Sequence, residues 1–102
     1  AQAWGLNAET TLSVMQSSSG QSWIGQDRMT RALQNDFEPR AHMTLLAKDT
    51  RLALEACAHL KISVPSLGQV ASQQFAKACE LGFANQDDAT LFLMAGGQPN
   101  KP

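Results

Sequence analysis

The 102-residue chain has no tyrosine, only two cysteines, four prolines and no long apolar run. Each scarcity excludes something. Without a run of about twenty apolar residues no segment can cross a bilayer as a helix. Without a charged start followed by an apolar stretch there is no visible signal peptide. Two cysteines, Cys57 and Cys79, each set in an apolar helical pattern, read as reduced small hydrophobes rather than a disulfide framework. His42 and His59 lack partners at ligand spacing, so no metal is expected. Eight Lys and Arg against nine Asp and Glu give a net charge of −1, with no basic block. Nucleic acid is therefore not an expected partner, because phosphate binding needs clustered positive charge.

What is present is enough for one compact domain: 43% hydrophobic and 17% charged residues fit a globular chain. β-Branched residues never alternate over a run, whereas helical spacing recurs. Asn7 caps a first helix with Glu9 in its opening turn. Ser17–Gly20 ends it, and Ser22 caps a second helix carrying Trp23, Ile24, Met29 and Leu33. Pro39 biases Glu38 away from helix and makes 35–40 a loop. A long third helix runs over about 42–60, with Leu45, Leu52, Ala53, Ala56, Cys57 and Leu60 as its apolar stripe. Arg51, Glu55 and His59 share another face. A fourth helix over about 66–81 carries Leu67, Val70, Ala71, Phe75, Ala78 and Cys79, and Gly82 stops it. Asp87 caps a last helix with Leu91, Phe92 and Met94. The expected architecture is all-α, a compact bundle of about five helices over 1–96 with a flexible tail over 97–102.

Lys48 and Asp49 stand out as adjacent opposite charges near the start of the long helix. Neighbouring residues project about a hundred degrees apart around a helix, so no helix-face salt bridge between them is expected. One can point into a cleft while the other meets backbone or a loop.

The ordered set of short motifs says more than any one of them. The chain reads GQSW at Gly20–Trp23, RM at Arg28–Met29, DFEPR at Asp36–Arg40, KDTRLALE at Lys48–Glu55 and GFANQDDA at Gly82–Ala89. This order resembles the C-terminal helical domain of the β-hydroxyacid dehydrogenases, the family that includes 3-hydroxyisobutyrate dehydrogenase and is related to 6-phosphogluconate dehydrogenase. Within it the chain looks most like the L-threonate dehydrogenase type. The resemblance covers about residues 5–93. It implies a cytoplasmic NAD- or NADP-dependent oxidoreductase acting on the hydroxyl of a small hydroxy acid or sugar acid, and a dimer or higher homo-oligomer.

By that resemblance Lys48 and Asp49 match the start of a K-D-L-x-x-A-x-[DE] motif that faces the cofactor, with Thr50 in place of the usual Leu. Ser22 and Trp23 border the substrate pocket, and Arg40 can take a carboxylate bidentately. Ala41 stands where many members carry an aromatic, which leaves room for a longer acid. The family's catalytic Lys segment and its Gly-rich dinucleotide turn do not occur in these residues. The resemblance therefore implies a C-terminal piece whose Rossmann partner lies elsewhere and which is inactive alone. The competing expectation is a free-standing helical interaction module that never meets NAD(P).

Overall fold

The computed structural model describes residues 1–101, so Pro102 at the end of the expected tail lies outside the described residues. The described residues form five α-helices: α1 (Ala8–Gln16), α2 (Trp23–Leu33), α3 (Met43–His59), α4 (Ser66–Ala78) and α5 (Leu91–Met94). Among the described residues there is no strand, only an isolated antiparallel bridge between His42 and Asp87. The expected all-α class is what folds. Within it the chain gathers into two compact units, Ala1–Phe37 with the stretch from Ala89 onward, and Glu38–Asp88.

The helix starts follow local chemistry. Asn7 accepts the Thr10 N–H at 2.8 Å and Ser22 accepts the Gly25 N–H at 2.9 Å, so each satisfies a donor that the first helical turn leaves open. In the first unit α1 packs on α2, with Leu12, Ala32 and Leu33 buried. The segment expected as a flexible tail is hydrogen-bonded: the Gln98 N–H donates to the Gln2 side chain, the Asn100 N–H to the Leu33 carbonyl, and the Asn100 amide to Glu9.

The second unit is an α3–α4 hairpin. Its packing corrects the expected stripes. Leu45, Leu52 and Leu60 are each at least 46% exposed, and Leu67 is 84% exposed. Ala53, Ala56 and Val70 are exposed as well. The inward line of α3 is instead Met43, Leu46, Ala47, Thr50, Leu54 and Cys57, and that of α4 is Gly68, Ala71, Ser72, Phe75 and Ala78. Small residues on α4 let the helices approach; a Cβ added at Gly68 would lie 3.8 Å from Leu54. Thr50 sits on this packed face because its hydroxyl donates to the Leu46 carbonyl at 2.7 Å, which removes the cost of a bare polar group.

After α4 the chain winds one wider turn over Cys79–Phe83, broken at Gly82, whose φ of 99° suits only glycine well. The chain then returns to the start of α3: Met43 N–H donates to Gln86 and Thr44 N–H to Ala84. Leu54 against Gly68 puts Cys57 at the opposite end of the hairpin from Cys79, and both thiols are free.

Candidate functional site

The second unit brings two of the recognised motifs together. Asp87, in the NQDD stretch, is fully buried. One carboxylate oxygen accepts the backbone N–H of Arg40 at 2.9 Å and of Ala41 at 3.2 Å, and Asp88 N–H donates back to the Ala41 carbonyl. Asp87 was expected to cap the last helix. The residue before α5 is Thr90, with no side-chain cap, and the buried Asp87 carboxylate gathers two donors of a loop nearly fifty residues away in sequence and fixes the approach to α3. A short 3-10 turn over Asp88–Thr90 then leads to α5. The Arg40 side chain is exposed, carried by a loop whose backbone Asp87 holds.

Lys48 and Asp49 lie in the second turn of α3. The expectation that they do not pair is corrected: Lys48 Nζ stands 3.6 Å from Asp49 Oδ1. The flexible lysine stem spans the angle that separates the two Cα–Cβ directions. Both side chains are more than half exposed, so this loose pair contributes at most about 1 kcal/mol and leaves Lys48 easily drawn to another anion. Lys48 lines a shallow hollow of about 360 Å³ between α3 and α4, together with Thr44, Ala47, Arg51, Ser72 and Ala76. Arg51 and Ser72 were not among the sequence-derived site residues. The i,i+3 spacing from Lys48 to Arg51 could have found the first. Nothing in the sequence could have found Ser72, which reaches the hollow only through the hairpin.

Ser22 and Trp23 belong to the first unit. The Ser22 oxygen is engaged as the α2 cap, which leaves its O–H able to donate. Trp23 is 75% exposed and so is not a core aromatic of this chain. Ile24 beside it is also exposed. One turn on, the Arg28 guanidinium donates to Asp27 at 2.7 Å and Arg31 Nε donates at 3.2 Å. The Arg28 hydrogen bond, followed by that of Arg31, outweighs desolvation and holds the Asp27 carboxyl below its ordinary value of 3.8. Among the described residues no group of three or more His, Cys, Asp or Glu could hold a metal, and no helix is long and apolar enough to cross a membrane.

Comparison with known proteins places this geometry. L-threonate dehydrogenase of Cupriavidus necator is 27% identical over 93 residues, covering 91% of this chain and 31% of the relative. L-threonate dehydrogenase of Escherichia coli K12 is 24% identical over 93 residues, 91% of this chain and 30% of the relative. The chain thus spans about a third of the length of the curated relatives it matches. Among solved structures, a 3-hydroxyisobutyrate dehydrogenase from Salmonella typhimurium superposes with a TM-score of 0.85 at 24% identity, over 92% of this chain and 33% of that one; at this identity the likeness is one of fold. The 3-hydroxyisobutyrate dehydrogenase of Mycobacterium tuberculosis gives 0.77 at 26% identity, over 93% and 34%. Residues 1–94 match the family described as "NAD-binding of NADP-dependent 3-hydroxyisobutyrate dehydrogenase", and the chain belongs to that family.

Proposed function

We propose that this chain is the helical part of an NAD(P)-dependent oxidoreductase that acts on the hydroxyl of a small hydroxy acid or sugar acid. It supplies one wall of the cofactor and substrate cleft and the surface for self-association. The observation that carries the reading is the family match over residues 1–94 with Lys48 exposed at the lip of a hollow. The L-threonate dehydrogenase relatives favour a four-carbon sugar acid. The Mycobacterium relative, solved with L-serine, supports a small acid bearing a hydroxyl. Ala41, small where bulk is common in the family it resembles, agrees with a longer substrate.

The residues at the hollow fit an anionic dinucleotide in charge. Lys48 is a cation in reach of phosphate or carboxylate oxygens, and Asp49 can accept from a ribose hydroxyl. A bound nicotinamide supplies hydride exchange with the carbon that carries the substrate hydroxyl. What this chain supplies is charge, hydroxyl donors and a fixed wall. In the second unit Lys48 is proposed to hold an anionic group and Arg40 a substrate carboxylate; in the first, Ser22 is proposed as a substrate contact and Trp23 as a water-excluding side chain. The described residues carry no Gly-rich turn after a strand to seat a pyrophosphate, so the chain is proposed to be inactive without a dinucleotide-binding partner domain.

The test is turnover by the full-length protein encoded by the parent reading frame, screened with four-carbon sugar acids and each nicotinamide cofactor. Oxidation of one of them is expected. Lys48→Ala should lower kcat/KM by about tenfold or more, the loss typical of one charge-assisted contact, with the unfolding midpoint unchanged. Activity on no hydroxy acid would refute the reading. Unchanged kinetics in the variant would remove Lys48 from the site.

A further inference from the structure

The hollow between α3 and α4 carries a second cation that the dehydrogenase reading does not use. Lys48 and Arg51 stand three residues apart and share a helix face. Both line the hollow, facing Ser72 and Ala76 across it. Its six lining residues include no carboxylate: two cations, two hydroxyls and two methyl groups form the wall. A concave surface of one sign concentrates the field for an ion of the other.

The acids nearby hold these cations weakly. Asp49 is 3.6 Å from Lys48, beyond hydrogen-bond length. Glu55 meets Arg51 Nη1 at 2.8 Å, but both side chains are 58% exposed, so water screens the pair. Its order along the helix, cation before acid, is also the less favourable one against the helix dipole. The guanidinium fork matches two oxygens of a carboxylate or phosphate, while the lysine adds a mobile point charge.

We infer that Lys48, Arg51 and the Ser72 hydroxyl form a binding site for an oxyanion, the carboxylate or phosphate group of a small ligand, with Glu55 as the resident competitor for Arg51. The inference builds on the reading of Lys48 above and adds Arg51 as the group that fixes the orientation of the anion. Ser72 is half-buried on the inward line of α4, so its hydroxyl donates from a fixed position. Glu55 lies one turn beyond Arg51 and does not line the hollow.

The experiment is an NMR titration of the 102-residue chain with inorganic phosphate, following the Arg51 Nε–H and the α3 and α4 amides. A saturable shift confined to residues around 44–51 and 72–76 is expected. Arg51→Ala should weaken binding by about tenfold, the loss of one charge-assisted contact. Arg51→Lys should restore part of it. Glu55→Gln should tighten binding by about twofold, the scale of an exposed i,i+4 pair. Circular dichroism confirms that each variant keeps its helix content.

Competition separates the sources of the oxyanion. Displacement of phosphate by NADP but not NAD marks a cofactor phosphate, and displacement by L-threonate marks a substrate carboxylate. Unsaturated shifts spread over every basic residue, or an Arg51→Ala chain that binds like the parent, would overturn the inference. Because the readout is binding rather than turnover, the two ideas fail separately. Saturable binding with no hydroxy-acid oxidation by the full-length protein sinks the dehydrogenase reading alone. Turnover that depends on Lys48, with no effect of Arg51→Ala on phosphate, sinks the oxyanion site alone.

Discussion

Asp87 shows how much one residue can fix. Its fully buried carboxylate accepts two backbone donors, from Arg40 and Ala41, and these donors belong to the loop that delivers the chain into α3. Asp87→Ala removes the acceptor and leaves both N–H groups to find another partner in a protein interior, at a cost of about 2–4 kcal/mol. Urea denaturation of the variant should show that loss in the midpoint. A change below about 0.5 kcal/mol would mean the loop is held by other contacts. Asp87→Asn keeps an acceptor oxygen and should cost less than Asp87→Ala. Sequence reasoning found the residue but gave it a local task as a cap. An acidic residue ahead of a helix has that signature by default, and only the fold brings Arg40 within reach.

At the level of elements, where α1, α2 and α3 start and stop was readable to within a residue or so, but how they stop was not. Asn7 and Ser22 each carry a side-chain oxygen that accepts a first-turn N–H, so α1 and α2 begin where expected. Three helices end in the same way, with two backbone bonds closing a left-handed residue. Asn35 and Asp36 close α2, Lys61 and Ile62 close α3, and Gly96 and Gly97 close α5. Glycine announces such a stop, asparagine less so, and lysine not at all. Lys61 has φ 55°, a strained setting for a side chain with a Cβ. Lys61→Gly should therefore stabilise the chain by about 1 kcal/mol, read as a raised urea midpoint at unchanged slope. A lower midpoint would show that the lysine side chain contributes more than its backbone costs.

The apolar stripes failed for a related reason. α3 has two apolar lines, one through Leu45, Leu52, Ala56 and Leu60 and one through Met43, Leu46, Ala47, Leu54 and Cys57. Periodicity reports both equally, and only the small residues of α4 select the second.

For the whole molecule, the division into two units and the choice of buried residues point the same way. The largest fully buried side chains are Met43, Thr90 and Asp87, so two of the three are polar and little large apolar surface is hidden. Meanwhile Trp4 is 88% exposed, and Val14, Trp23, Ile62 and Leu67 are also exposed. Units of about fifty residues seldom reach high stability on a single small core, and exposed large apolar groups drive association. The chain is therefore expected to self-associate through these surfaces. Light scattering coupled to size exclusion should give a mass above the 11.0 kDa monomer that rises with loading concentration. The thermal midpoint should rise with concentration too, because association stabilises only the folded state. Leu67→Lys and Trp4→Lys, each placing a charge on an exposed apolar site, should shift the distribution toward monomer with helix content retained. A single monomeric peak across a hundredfold concentration range, with a constant midpoint, would show that these surfaces are solvated as they stand.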